Sequence, residues 1–560
     1  MAGWTGRRDF IVLMARPLLA LLTLFMLLVA PAKPGRVHAQ APGKPEPAVR
    51  LILLISVDQC RADYLTRFER DYTAGFRRLL DKGAVFSKAF LEHYPTVTAV
   101  GHSAMLTGAI PSASGIIGND WFDRERGVQV TSVSDDETTA IGGKEGPGSS
   151  PRRLLVGTLA DEVKKAAGEP AGSPGAPRVV GLALKDRAAI LMVGHKADLA
   201  LWYDAETGTF VTSSYYGKEL PAWAAAHNAT KPSDAFAGQE WRFLDPAERG
   251  GYKMPAEPGS KLYSSLTVSP FGNELVADVA EAALVGERLG QRGVTDVLAV
   301  SFSSNDSVGH QWGPDSREVR DISVRTDRVI GRLLDRVDAL VGPGRTLVVL
   351  TGDHGVAPLP EVRVKQGLSG GRLSRNDLFG PIVAALTEKY GPGNWLLATA
   401  GSSPYLNHAL IAEKQLDPAE VRKVAAKAAA AVPHVSRVYT REQILNGKVP
   451  DDEVGRRVVR GYHRERSGDL EIILEPYWIR ASAGATHGSP YDYDAQVPLV
   501  FMGPGVKPGR YDNQVAMNDL APTLAALTGF KAPRTAVGRV LREIIATPAV
   551  PTPTGNSDPK

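Results

Sequence analysis

The chain has 560 residues, 43% hydrophobic and 22% charged, a globular composition long enough for one large domain with insertions or for two ordinary domains. Its one cysteine, Cys60, excludes an intramolecular disulfide. The formal net charge of +4 is matched by residues 1–39 alone, where Arg7, Arg8, Arg16, Lys33 and Arg36 face only Asp9, so the remainder is neutral and presents no global positive field for nucleic acid or an anionic membrane.

Residues 1–39 have the order of a secretory signal: a basic start, the apolar stretch Leu18 to Ala30, and a small-residue cleavage site ending Val37-His38-Ala39. Cleavage after Ala39 is expected, which makes the mature protein periplasmic or secreted and leaves it with no stable membrane association. Arg7-Arg8-Asp9-Phe10 is also similar to a twin-arginine signal. The alternative is an uncleaved anchor, but only about 13 apolar residues follow Arg16, short of the roughly 20 that span a bilayer. Residues 40–48 form a Pro-rich lead-in to a domain over 49–547.

Leu51-Ile52-Leu53-Leu54-Ile55-Ser56-Val57 is a continuous apolar run, the pattern of a strand buried on both faces, and it ends on Asp58. The pattern recurs at Val297 to Phe302, followed by Asp306, at Thr346 to Leu350, running into Asp353 and His354, and at Val497 to Met502. Amphipathic segments at 274–289 and 324–341 predict helices between strands. This alternation predicts an α/β fold with a mostly parallel sheet covered by helices on both faces, whose ligands bind beyond the carboxyl ends of the strands. Three strands deliver carboxylates to that edge. Residues 204–270, aromatic-, Gly- and Pro-rich, and 360–480, with an Ala/Lys-rich helix at 417–431 and a late strand Leu470 to Leu474, read as cap insertions around it. The tail 548–560 reads as disordered.

Asp58, Asp306, His310, Asp353, His354 and His487 make a candidate ligand set of three aspartates and three histidines without cysteine, suited to a borderline cation such as zinc at a catalytic site. Asp306-x-x-x-His310 places two ligands on one helical face, or in a loop on account of Gly309. His195, His227, His408 and His434 read as ordinary surface histidines. The stretch Tyr94-Pro95-Thr96-Val97-Thr98 runs into a small-residue helix over 99–107, which sets Thr98 at a helix start, where backbone N–H groups favour an anion.

Taken in order, Val57-Asp58-Gln59, Pro95-Thr96-Val97-Thr98, Gly101-His102, Gly115-Ile116-Ile117-Gly118-Asn119, Lys185-Asp186-Arg187, Asp306-x-x-x-His310, Thr351-Gly352-Asp353-His354-Gly355 and Thr486-His487-Gly488 resemble the bacterial zinc-dependent alkaline phosphatases with a threonine nucleophile. These belong to the alkaline phosphatase superfamily and are kin to nucleotide pyrophosphatase/phosphodiesterases. The resemblance covers about residues 49–535. It implies two zinc ions, one held by Asp306, His310 and His487, the other by Asp58, Asp353, His354 and the Thr98 oxygen. It further implies attack by Thr98 through a phosphothreonine, and contacts from Asn119, Lys185 and Arg187 to the phosphate. Residues 185 and 187, read as part of a strand running on from Val179, would share one face. The expected substrates are small phosphate monoesters and the expected state a monomer. A diester substrate is the alternative within enzymes, and a binding protein on a degenerate scaffold the alternative outside them. Sulfatase chemistry is excluded, since Cys60-Arg61-Ala62 lacks the Cys-x-Pro-x-Arg motif. Cys60 reads as a small apolar replacement, with a reactive thiol beside Asp58 left open.

Overall fold

The computed structural model describes residues 47–546 apart from 170–172 and 174. The expected signal segment and tail lie outside the described residues, as does most of the lead-in. Twelve strands form one sheet: β1 (Leu51–Val57), β2 (Ala84–Phe90), β3 (Ser134–Ile141), β4 (Pro147–Ser149), β5 (Val179–Ala183), β6 (Leu199–Asp204), β7 (Thr209–Ser213), β8 (Asp296–Phe302), β9 (Thr346–Thr351), β10 (Gln496–Met502), β11 (Gly509–Tyr511) and β12 (Val515–Ala516). Their spatial order is 11-2-10-9-1-8-5-6-7-3-4, with β12 beside β2. The centre, 9-1-8-5-6, is parallel throughout.

The apolar run of β1 is explained by two cores. Leu51, Leu53, Ile55 and Val57 face one with Leu298, Val300 and Phe302, while Ile52 and Leu54 face the other with Val297 and Ala299. Each fully buried aliphatic side chain contributes about 1.5–3 kcal/mol, so neither face tolerates a polar residue cheaply. Helix α1 (Thr98–Thr107) packs its Met105 and Leu106 in the second core, and α2 (Asp186–Val193) follows β5. Helices α3 (Pro270–Gly286), α4 (Ser304–Trp312) and α5 (Arg317–Val341) cover the first face.

The α5 helix starts seven residues before the expected 324, because Ser316 caps it by accepting from Val319 N and the charged opening turns hide its periodicity. The segment expected as a helix over 274–289 forms as α3, set earlier by Ser269 at the cap and Pro270 in its first turn.

The sheet is mostly parallel at its centre, as expected, with antiparallel pairs toward both edges. The β10 strand is antiparallel to β9, pairing Thr351 with Leu499 and Val348 with Met502. Its first residues therefore lie at the carboxyl end of β9, and the loop before it, 487–495, is delivered to the same edge as the loops after β1, β8 and β9. Residues 204–270 add Trp241, Met254, Leu262 and Leu266 to the core that holds α3 and α5. Residues 360–480 build a core of their own around Leu378, Phe379, Trp395, Val421, Leu470 and Ile472.

Candidate active site

The parallel strands end in three buried aspartates. Asp58 follows β1, Asp306 lies in the first turn of α4 just beyond β8, and Asp353 follows β9. Burial of three carboxylates in one place is costly unless cations meet them, several kcal/mol each. Lys185 Nζ supplies one charge, 2.6 Å from both Asp58 Oδ2 and Asp306 Oδ2. That is one ammonium for three acids. Burial, with Asp353 and Asp306 nearby, pushes the Asp58 carboxyl well above its usual range despite Lys185. Burial also opposes ionisation of Asp306, but Lys185 and His310 outweigh it and hold that carboxyl well below. Asp58 Oδ1 and Asp353 Oδ2 are buried and have no hydrogen-bond partner.

The imidazoles show what is being held. His310 Nδ1 lies 2.7 Å from Ala485 O, His487 Nδ1 2.8 Å from Thr96 O, and His354 Nδ1 3.0 Å from Gly355 O. A carbonyl oxygen can only accept, so each Nδ1 carries a proton and Nε2 is the nitrogen left to face the acids. Those nitrogens face carboxylate oxygens: His310 Nε2 is 3.2 Å and His487 Nε2 3.6 Å from Asp306 Oδ1, and His354 Nε2 is 3.3 Å from Asp353 Oδ2 and 3.6 Å from Asp58 Oδ1. Each such contact is satisfied by a proton on Nε2 or by a cation shared between nitrogen and carboxylate, and imidazoles fixed through Nδ1 are the usual second support of a metal site. Two groups have donor atoms close enough to share an ion, Asp306 with His310 and His487, and Asp58 with Asp306 and His354. The residues fit divalent metal. Asp306 stands in both groups, whereas the sequence reading gave it to one; Asp353 closes the second from the side, 3.3 Å from His354 Nε2.

Thr98 opens α1, buried, with Oγ1 3.4 Å from His354 Nε2. Asn119 Oδ1 accepts from Ala99 N at 2.8 Å, so its amide is oriented and the Nδ2 donors turn away from the helix end. The helix can approach the metal ligands because residue 101 is glycine: a Cβ there would lie 2.1 Å from Asp353 O. Likewise Gly309 leaves α4 unobstructed where a Cβ would lie 1.8 Å from Gln59 Oε1, and the helical alternative for Asp306-x-x-x-His310 is the one realised.

Lys185 and Arg187 differ from expectation. The β5 strand stops at Ala183, Lys185 is the N-cap of α2 and Arg187 lies in its first turn, so the two do not share a strand face. Asp186 in the first turn and the apolar run that follows favour the helix. Lys185 reaches the carboxylates, while Arg187 Nε is buried with no hydrogen-bond partner. The structure thus brings together Asp58, Thr98, Asn119, Lys185, Asp306, His310, Asp353, His354 and His487, with Arg187 close enough to Lys185 to weigh on its charge.

Two residues inside quoted motifs were given no role from sequence. Gln59, at a left-handed φ of 61°, donates from its backbone to Asp353 Oδ1 at 3.0 Å and from Nε2 to Asp306 Oδ1 at 2.6 Å. His102 Nδ1 lies 3.2 Å from Asp353 Oδ2 and 2.8 Å from Thr98 O. Their places beside a ligand and one turn after Thr98 were the available signals. Cys60 is buried, and burial raises its thiol far above the ordinary value, so it is an inert packing residue. Beside the site opens a cavity of about 460 Å³, lined by Asn119 and His487 together with residues 399–403, 471–474 and 478–480. No residue of 204–270 lines it.

Residues 52–491 match the family described as type I phosphodiesterase / nucleotide pyrophosphatase. The chain is 34% identical over 525 residues to a protein of Myroides odoratus called calcium-transporting ATPase, covering 89% of this chain and 94% of that one. It is 34% identical over 526 residues to the alkaline phosphatase PafA of Elizabethkingia meningoseptica, covering 89% and 95%. The crystal structure of wild-type PafA superimposes with a TM-score of 0.83 at 33% identity, over 90% of this chain and 99% of that one.

Proposed function

The chain belongs to the type I phosphodiesterase / nucleotide pyrophosphatase family and is an alkaline phosphatase, a phosphoric monoester hydrolase, and we propose that Thr98 is its nucleophile. The enzyme is metal-dependent; we assign two zinc ions, one to Asp306, His310 and His487, the other to Asp58, Asp353, His354 and Thr98. Such ions lower the pKa of a hydroxyl and stabilise the attacking and leaving oxygens of an in-line displacement. The observation that carries the reading is Thr98 Oγ1 at the start of α1, 3.4 Å from His354 Nε2, beside the convergent imidazoles and carboxylates of the site.

Thr98 Oγ1 gives up its proton and bonds to phosphorus as the bond from phosphorus to the departing oxygen breaks; the alcohol leaves protonated. The positive end of α1 favours the charge that develops at this oxygen. Water then cleaves the phosphothreonine, restoring the threonine hydroxyl and releasing inorganic phosphate with retention at phosphorus. Asn119 Nδ2, Lys185 and Arg187 supply the donors for the non-bridging oxygens. A monoester carries one more charged oxygen than a diester, so these cations favour monoesters. The name of the Myroides relative is compatible with this site, because a terminal phosphoryl group of a nucleotide presents the same non-bridging oxygens.

We take the substrates to be a broad range of small monoesters, and the mature enzyme to be an exported monomer in the periplasm or medium. Among the described residues no helix is long and apolar enough to cross a membrane. The test is to quench turnover in acid and map the phosphorylated residue. Phosphate on Thr98, with a loss of orders of magnitude in Thr98→Ala and partial activity in Thr98→Ser, is expected. A Thr98→Ala enzyme near the wild-type rate with metal bound would place the nucleophile elsewhere. Rates on aryl phosphate against bis-aryl phosphate separate the diester reading.

A further inference from the structure

The cavity beside the site is more than an opening for solvent. It runs from Asn119 and His487, against the reacting centre, to Arg480 at the end of the 360–480 segment. Arg480 has no carboxylate or hydrogen-bond acceptor among the described residues, and its Nε is buried without a partner. Its guanidinium lies over the Phe379 ring at 4.9 Å, and a second cation, Arg375, lies over the same ring at 6.0 Å. A half-buried guanidinium normally finds a carboxylate, because desolvating its five donors without one is costly. Here burial and the neighbouring Arg375 both work against the charge of Arg480, and Tyr94 offsets them only in part.

We propose that Arg480 is a specificity-determining residue: it receives an anionic group, a carboxylate or a second phosphate, carried by the leaving alcohol of the substrate. The proposal rests on the monoesterase reading above and names the class of ester favoured. The acids of the same cavity do not occupy the arginine. Glu471 accepts from Ser403 Oγ at 2.5 Å, Asp494 accepts from Ser489 N at 2.8 Å, and burial raises each carboxyl to about 7. Asp120, at the exposed rim, is engaged by Gln129 Nε2 at 2.7 Å. An arginine fork suits either oxyanion, through two parallel donors.

The experiment compares kcat/KM of the zinc-loaded wild-type, Arg480→Gln and Arg480→Lys enzymes on phenyl phosphate, 4-carboxyphenyl phosphate and 1,4-phenylene bisphosphate, slightly below neutral pH. The quantity read is the ratio of each charged substrate to phenyl phosphate within one preparation, which is independent of how much of a variant folds. A charge-assisted hydrogen bond corresponds to roughly a tenfold to hundredfold change. The ratio is expected to fall by that factor in Arg480→Gln and by less in Arg480→Lys, with phenyl phosphate turnover retained. A fall for one charged substrate alone identifies which oxyanion the arginine takes. Ratios unchanged for both overturn the proposal. Absence of phenyl phosphate hydrolysis by the wild type would instead overturn the monoesterase reading beneath it.

Discussion

Two clusters of buried charge in this molecule are alike in composition and opposite in purpose. Around Asp469, in the 360–480 segment, every oxygen is answered: Oδ1 accepts from His408 Nε2 at 2.8 Å and from Arg422 at 2.9 Å, and Oδ2 accepts from Arg124 at 3.0 Å and from Leu406 N at 2.8 Å. At the carboxyl edge of the sheet three aspartates crowd together: Lys185 bonds only Asp58 and Asp306, Asp58 Oδ1 has no hydrogen-bond partner, and Asp353 Oδ2 meets imidazole nitrogens, His102 Nδ1 at 3.2 Å and His354 Nε2 at 3.3 Å. Both set buried acid against basic side chains and histidine. The difference is that the first is complete as protein and ties the β3-preceding hairpin residue Arg124 to the 360–480 segment, whereas the second is completed by a cation. Burial of charge alone does not mark a site; charge whose partners are missing from the chain does.

The largest effect that would break this comparison is metal removal. Exhaustive chelation is expected to abolish hydrolysis of phenyl phosphate and zinc to restore it, while circular dichroism shows the fold retained. Full activity in protein shown by elemental analysis to lack divalent metal would remove the distinction between the clusters.

Substitution of one acid from each should then split stability from activity. Asp469→Asn breaks a buried, fully paired network and is expected to lower unfolding stability by about 3–5 kcal/mol, with kcat per folded molecule little changed. Asp58→Asn removes one of three crowded carboxylates, so activity should fall by orders of magnitude while the metal-stripped protein unfolds at the same denaturant concentration or a higher one. Equal destabilisation by both would mean that the edge cluster is held together as a structural network.

A narrower test sharpens what the edge cluster does with its cations. The double variant Lys185→Ala/Arg187→Ala is expected to lose monoester kcat/KM by about two to three decades more than diester kcat/KM, since two charge-assisted contacts at about 1.5–3 kcal/mol are not additive within one site. An equal fall on both substrates would assign the pair to supporting the carboxylates generally. The smallest effect concerns Cys60. Although it stands two residues from Asp58, it is 3% exposed and packed in the first core. A thiol reagent is expected to leave the native enzyme unlabelled and active and to label it once unfolded.

Much of the edge cluster was legible because each strand announces itself. The apolar runs at 51–57, 297–302 and 346–350 have the pattern of strands buried on both faces, and each is followed within a few residues by Asp58, Asp306 or Asp353. The parallel centre follows from the helices between them. The Asp469 cluster was illegible for the opposite reason: Arg124, His408, Arg422 and Asp469 come from separate segments with no shared pattern, and His408, exposed as it read, reaches Asp469 only through the fold. The cavity with Arg480 was hidden in the same way, as was the placement of residues 204–270 away from it.

Local sequence, then, determined the central strands and the candidate ligands that follow them, because periodicity, apolar burial and side-chain chemistry are properties of neighbours along the chain. It did not determine that β10 enters the sheet antiparallel and so brings His487 to Asp306, nor that β5 ends early enough for Lys185 to reach Asp58 and Asp306. Strand direction depends on which edge of the sheet the preceding segment returns to. Charge balance depends on distances between residues more than a hundred positions apart. Both are fixed by packing, and packing exists only once the whole sheet has formed.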